Sequence, residues 1–341
     1  MKRITAMKNR RQFIQQAATG AAIATTVLIG AESQLALAKH IVKPVSDSRS
    51  RVVIARDPQL HDAFRQPIDA RLQTLLDRAI ATYTGLPQSV SAWKHIIGSA
   101  QVIGIKTNGL GGKGISSHAA LVHAIAARLQ TAGVQPGNII IWDRNARDLQ
   151  ACGFTISTDH TGVRCFGSDV SGYEDASEAY GTARIRLSKI LTQCDMVIGV
   201  PILKDHSMAG VTFAMKNMYG VVDRPMDLHA DNCCPAVADL NCIPAIRQKV
   251  RFTIGDALSS VYDGGPGFRP ERLWYPNALI IGEDRVALDH TAWQLLERKR
   301  AESGLSTFEA AGRAPRYIAV AADKDHNLGT NDPARIHLIE V

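Results

Sequence analysis

The chain has 341 residues, 45% hydrophobic, 21% charged and 6% aromatic, a composition that excludes a disordered, collagen-like or coiled-coil protein. Its formal charge is +7, but residues 1–38 hold five basic side chains (Lys2, Arg3, Lys8, Arg10, Arg11) against Glu32 alone, which leaves 34 basic and 31 acidic residues beyond them. That small excess is not clustered as a phosphate-binding surface requires, so no nucleic-acid partner is expected.

At the N-terminus, Arg10-Arg11-Gln12-Phe13 is a twin-arginine pair followed by an aromatic, the weakly apolar run Ala17 to Ala31 comes next, and Ala36-Leu37-Ala38 supplies an A-x-A cleavage site. This is the order of a signal peptide, and the run is too short and too weakly apolar for a spanning helix. The arginine pair points to the Tat pathway. We therefore expect residues 1–38 to be a Tat signal cleaved after Ala38, with the Tat translocon as a transient partner, a periplasmic destination and no stable membrane insertion after cleavage. Export of a folded protein fits a metal or cofactor inserted in the cytoplasm, and equally a fast-folding protein without one.

Residues 39–341 are expected to form a single α/β domain. Apolar runs predict strands at Val52 to Arg56, Val102 to Lys106, Asn138 to Asp143, Met196 to Val200, Arg251 to Asp256, Ala278 to Gly282 and Tyr317 to Ala321. Between them Leu72, Leu75, Leu76, Ala79, Ile80 and Tyr83 mark one face of a helix stopped by Gly85, and Leu121, Val122, Ile125 and Leu129 mark another. Strands alternating with helices predict a mostly parallel sheet flanked by helices. Residues 155–184 and 223–235 break the rhythm and read as long loop excursions of the kind that carry binding residues.

In open α/β sheets ligands bind beyond the carboxyl ends of the strands. Four apolar runs end in or near charge there: Lys106, Asp143, Lys204 and Asp256. Lys106 opens a glycine-rich segment with Asn108, Gly109, Gly111 and Gly114, a loop that lets backbone approach an anion, although the spacing is a poor dinucleotide fingerprint and fails the Walker A pattern. The run Lys204 to Gly220 is the densest polar region. Read as a helix, it sets Met208, Val211, Met215 and Met218 on a core stripe and Thr212, Lys216 and Tyr219 on another, with Lys204 and His206 just before it. Several cationic groups near one element suit a carboxylate or phosphate ligand, or a lysine base whose pKa its neighbours lower.

His229, Asp231, Cys233, Cys234 and Cys242 form the candidate metal cluster, without the C-x-x-C spacing of a standard site. In an oxidising compartment the six cysteines also suit disulfides, Cys152 with Cys165 and Cys233 or Cys234 with Cys242, or buried free thiols, with Cys194 an inert core thiol. Serine-hydrolase and zincin motifs are absent.

The chain resembles the family called domain of unknown function 362, some of whose members carry ferredoxin-type iron–sulfur modules. The resemblance rests on Val102-Ile103-Gly104-Ile105-Lys106-Thr107-Asn108, on Cys194-Asp195 through Lys204-Asp205-His206 to Thr212, Lys216, Asn217 and Gly220, and on Ala238-Asp239-Leu240-Asn241. It continues through Gly255-Asp256, Gly264-Gly265-Pro266-Gly267, Ala287-Leu288-Asp289 and Leu328-Gly329-Thr330, and so covers residues 50–341. Thr107 stands where proline is usual, and the closely spaced four-cysteine runs are missing, which argues against an iron–sulfur cluster.

These observations lead to an exported α/β protein that binds a small anionic ligand, with or without a metal ion. In an enzyme of this kind Lys204 or His206 would be the acid/base, Lys106 and Lys216 would hold the anion with Asn108, Thr212 and Asn217 beside them, and Asp239 and Asp256 would orient a lysine or ligate a metal. A redox protein with a metal at His229, Cys233, Cys234 and Cys242 is a second reading. A non-catalytic periplasmic binding or accessory protein is a third.

Overall fold

Side chains alternate along a strand, so the run Ile139 to Trp142 sends Ile139 and Ile141 to one face and Ile140 and Trp142 to the other, all of them buried. A strand that is apolar on both faces must be covered on both, and that requirement organises the whole sheet. The computed structural model describes residues 49–112 and 114–341, so the Tat signal expected over residues 1–38 lies outside the described residues.

The described strands are β1 (Ser50–Arg56), β2 (Ile103–Lys106), β3 (Ile139–Asp143), β4 (Arg164–Gly167), β5 (Glu178–Tyr180), β6 (Ala183–Ile185), β7 (Met196–Gly199), β8 (Ile202–His206), β9 (Gly210–Thr212), β10 (Val250–Val261), β11 (Leu273–Trp274), β12 (Ala278–Gly282) and β13 (Ile336–Glu340). Eleven of them form one sheet in the order β13-β1-β12-β10-β7-β2-β3-β4, with β8 and β11 attached to β10 and β9 to β8, while β5 and β6 make a separate hairpin. Pairing is mostly parallel: β2 with β3 and β7, β3 with β4, β10 with β7 and β8, and β1 with β13. β12 is antiparallel to both of its neighbours.

Four long helices close the faces: α1 (Asp69–Thr84), α2 (Ser89–Ile97), α3 (Ala119–Thr131) and α4 (Arg285–Glu302). The buried stripe of α1 is Leu72, Leu75, Leu76, Ala79 and Ile80, and it packs with Trp93, Leu121, Ile125 and Leu129 over one face of the sheet. Each such leucine contributes about 1.5–3 kcal/mol on leaving water. α1 ends at Gly85, whose φ of 71° is left-handed and whose N–H closes on the Ala81 carbonyl. α4 covers part of the other face with Leu288, Ala292 and Leu296, and starts at Asp284, whose carboxylate accepts from the Val286 and Ala287 amides.

Three expectations are corrected. Tyr317 to Ala321 is a helix, Tyr317–Ala322, not a strand. A five-residue apolar run has no periodicity to separate the two, and here Tyr317 turns inward so that its hydroxyl donates to Asp289 at 3.0 Å. The run from Lys204 to Gly220 is not a helix either: it forms the β8–β9 hairpin and then a 3-10 turn, Lys216–Val221. Gly210 sits at φ 74°, and β8 is held by parallel pairing to β10, a partner far along the chain. The segment 155–184 also contains more structure than a loop, namely β4 and the β5–β6 hairpin.

Candidate functional site

The chain runs outward from β2 to β3 to β4 and then returns to the far side of β2 as β7. That reversal opens a crevice at the carboxyl ends of the strands. β2 ends there in Lys106 and β3 in Asp143, and the two close to 2.6 Å between Nζ and Oδ1. Lys106 also donates to the Thr107 carbonyl at 2.6 Å and to Asn217 Oδ1 at 3.4 Å, while Asp143 accepts from the Gly109 amide at 2.5 Å and the Arg144 amide at 2.7 Å. Gly220 passes directly over the pair. A Cβ at that position would stand 2.6 Å from both Asp143 Oδ1 and Lys106 Nζ, so only glycine lets the turn approach.

The β8–β9 hairpin supplies the second wall. Its register sets Lys204 opposite Thr212 and His206 opposite Gly210. Lys204 donates to the carbonyls of Leu110 at 2.5 Å and Ile115 at 3.2 Å and to Asn108 Oδ1 at 3.2 Å, which draws the glycine-rich segment across the crevice. His206 Nδ1 accepts from the Met208 and Ala209 amides at 3.1 and 3.2 Å, so the ring is neutral and its proton sits on Nε2. Burial, with Lys216, His229 and Lys204 nearby, pushes this imidazole down to about 2.

Lys216 opens the 3-10 turn. Its Nζ lies 3.7 Å from the centroid of the Tyr219 ring and 3.5 Å from His229 Nε2. His229 donates through Nδ1 to the Pro225 carbonyl at 2.9 Å, and Tyr219 donates to the Leu228 carbonyl at 2.6 Å. Neither Lys204 nor Lys216 has a carboxylate partner among the described residues. Burial pushes each down to about 8, opposed at Lys204 by Asp143 and at Lys216 by the Cys233 thiol.

Together these elements enclose a cavity of about 380 Å³. Lys106, Asn108, Lys204, His206, Thr212, Lys216 and Asn217, all singled out in the sequence, line it. Its charged lining is Lys106, Arg144, Lys204 and Lys216 against Asp143 and Asp148, an excess of positive charge. Thr212 Oγ1 is buried on that wall without a hydrogen-bond partner among the described residues. A second cavity, about 430 Å³, contains Arg247, Arg251 and Arg285, but Arg247 and Arg251 are spent on backbone carbonyls and Arg285 on Asn241.

Other expected residues lie elsewhere. Asp256 accepts from the His118 amide at 2.7 Å and from its ring at 2.9 Å, and Asp239 from the Thr182 amide at 2.7 Å and from His326 at 2.9 Å; neither lines the cavity. They fasten one segment of the fold to another. Of the candidate metal ligands, His229 lines the cavity and Cys233 is fully buried beside Lys216, whereas the Cys242 thiol faces the His326 carbonyl at 3.7 Å. His229, Cys233, Cys234 and Cys242 thus do not converge: among the described residues no group of three or more His, Cys, Asp or Glu side chains is arranged to hold a metal ion. All six thiols are free, and Cys194 is a core thiol pushed up to about 12 by burial. Sequence reasoning missed Arg144, Asn145, Asp148, Met226 and Pro266 in the lining. The first three follow the strand-ending Asp143 and were findable from it; Met226 lies in the 223–235 excursion and Pro266 in the Gly264–Gly267 run, both marked in the sequence but with no pattern that aims either side chain at the crevice.

The family described as domain of unknown function (DUF362) matches residues 103–294, more than half of the chain and the stretch that contains every lysine of the cavity. The chain belongs to the DUF362 family. No curated protein matches this DUF362 chain. Among solved structures it is similar to a Thermotoga maritima protein, at 11% identity and a TM-score of 0.42, over 68% of this chain and 59% of that one. It is also similar to a lactate racemase apoprotein from Thermoanaerobacterium thermosaccharolyticum, at 9% identity and a TM-score of 0.41, over 70% of this chain and 56% of that one. The DUF362 chain therefore spans less than two thirds of either.

Proposed function

We propose that this DUF362 protein is exported by the Tat pathway and binds a small carboxylate or phosphate compound in the cavity between β2, β3 and the β8–β9 hairpin. The observation that carries the reading is the pair Lys204 and Lys216, buried cations beside a buried Thr212 hydroxyl, where among the described residues the lysines have no carboxylate partner and the hydroxyl no hydrogen-bond partner. Burying a charge without a counter-ion is costly, and an anion in the cavity offsets that cost. Thr212 Oγ1 and the Nε2–H of His206 offer hydrogen bonds to the ligand. Lys106 and Lys204, whose own hydrogens are committed to protein oxygens, offer charge. His206 is then a donor in place of the base expected of it, and acid/base chemistry falls to Lys216, which is poised near neutrality.

Calorimetric titration of the protein with oxalate, sulfate and inorganic phosphate tests this. Lys204→Met and Thr212→Val should each weaken binding by roughly tenfold or more, the cost of a hydrogen bond or charge contact to an anion. Undiminished binding in both variants would defeat the reading. The export half is tested separately: Arg10→Lys with Arg11→Lys should strand the precursor in the cytoplasm, and unaltered periplasmic recovery would count against it.

A further inference from the structure

The three cavity lysines are not equivalent. An ammonium has three N–H donors. Lys106 spends them on the Thr107 carbonyl, Asp143 and Asn217, and Lys204 on Asn108 and the carbonyls of Leu110 and Ile115. With every N–H committed to an oxygen, neither nitrogen has a face open to attack a carbonyl carbon. Lys216 has no oxygen acceptor among the described residues. Around its Nζ are the face of Tyr219 at 3.7 Å, His229 Nε2 at 3.5 Å and the buried thiol of Cys233. Because His229 spends its Nδ1–H on the Pro225 carbonyl, its Nε2 presents a bare lone pair to the lysine. An amine on a cavity wall, without an oxygen partner and next to a free imidazole nitrogen, is arranged as a nucleophile with its base.

We infer that Lys216 forms an imine with a small carbonyl compound bearing a carboxylate or phosphate group. This rests on the cavity being an anion site, and it names the substrate class for that site. The anionic group docks against Thr212 and His206 in the field of Lys204, which directs the carbonyl carbon toward Lys216. His229 Nε2 takes one proton from the Lys216 ammonium, and the freed lone pair of Nζ attacks that carbon as the carbonyl π bond breaks onto oxygen. The imidazolium gives its proton to that oxygen, takes a second from the nitrogen and passes it to the hydroxyl, which leaves as one water while the nitrogen lone pair closes the carbon–nitrogen double bond of a protonated imine. No external oxidant or reductant takes part.

The test is reductive trapping on the full chain, with pyruvate and with pyridoxal 5′-phosphate as probes and cyanoborohydride as the added reductant, followed by peptide mapping. The expected result is one dominant adduct on Lys216, suppressed by saturating sulfate and absent in Lys216→Arg, while Lys106 and Lys204 stay unmodified. Adducts confined to other lysines overturn the inference, and mapping the wild-type chain decides this whether or not the variant folds. If Lys216 is unlabelled while sulfate still binds in a Lys204-dependent way, the imine falls and the anion site stands. If neither is seen, both fall.

Discussion

A lysine sealed from water with no carboxylate beside it holds its proton weakly, and Lys216 and Lys204 carry that cost with folded values near 8 against an ordinary 10.5. Below about pH 8 both are charged in the folded state and burial penalises them; between 8 and 10.5 the unfolded chain binds the extra protons, so these two groups make stability rise with pH across that window. Anion binding runs the other way. Sulfate, which keeps its charge throughout, should bind with constant affinity below neutrality and lose up to about tenfold per unit for each lysine as pH passes 8. A flat profile to pH 10 would contradict the assignment. The lysines also separate by substitution. Lys216→Met removes a buried charge that has no oxygen partner and should melt at or above the wild-type temperature, whereas Lys204→Met strands the Leu110 and Ile115 carbonyls and should lose about 1–3 kcal/mol. Equal melting losses in both would show that the two environments had been misjudged.

At the scale of elements, the β8–β9 hairpin decides whether the site exists, because its register alone brings Lys204 and Thr212 to one wall. Gly210 holds its turn at φ 74°, and a Cβ there would lie 2.5 Å from the Arg313 carbonyl. Gly210→Ala should therefore destabilise the protein by more than the roughly 1 kcal/mol of left-handed strain and abolish sulfate binding, as thermal melting and titration would report; a tolerated alanine would count against the packing described. The same hairpin marks the limit of what the sequence makes legible. Lys106 and Asp143 are readable because each ends a long apolar run, and Gly85 because a left-handed glycine stops α1. Lys204 to Gly220 has helical spacing of its apolar residues but folds as hairpin and turn, since pairing with β10 outweighs local periodicity. Asp256 looks like a site residue because it ends an apolar run, and Asp239 because it lies in a segment of the family resemblance, yet what an acid serves depends on partners such as His118 and His326 that no local pattern supplies.

For the molecule as a whole, the sheet is closed at one edge by β13, which pairs in parallel with β1 and shields a strand whose Val53 and Ala55 belong to the main core. Ending the chain after Arg335 should expose the unpaired edge of β1, lower the melting temperature and promote association, seen by light scattering; unchanged melting and a monomer would show that the edge needs no cover. At the other end of the architecture, Trp142 on β3 is fully buried, and Lys106 Nζ stands 5.7 Å from its ring centroid. None of the other three tryptophans, Trp93, Trp274 and Trp293, lies against a lysine of the cavity. Indole emission shifts with the electric field along its ring, so the chain carries its own optical gauge of the crevice. An anion settling near Lys106 changes that field and with it the colour of Trp142 fluorescence, and occupancy becomes readable without label, variant or knowledge of what the occupant is.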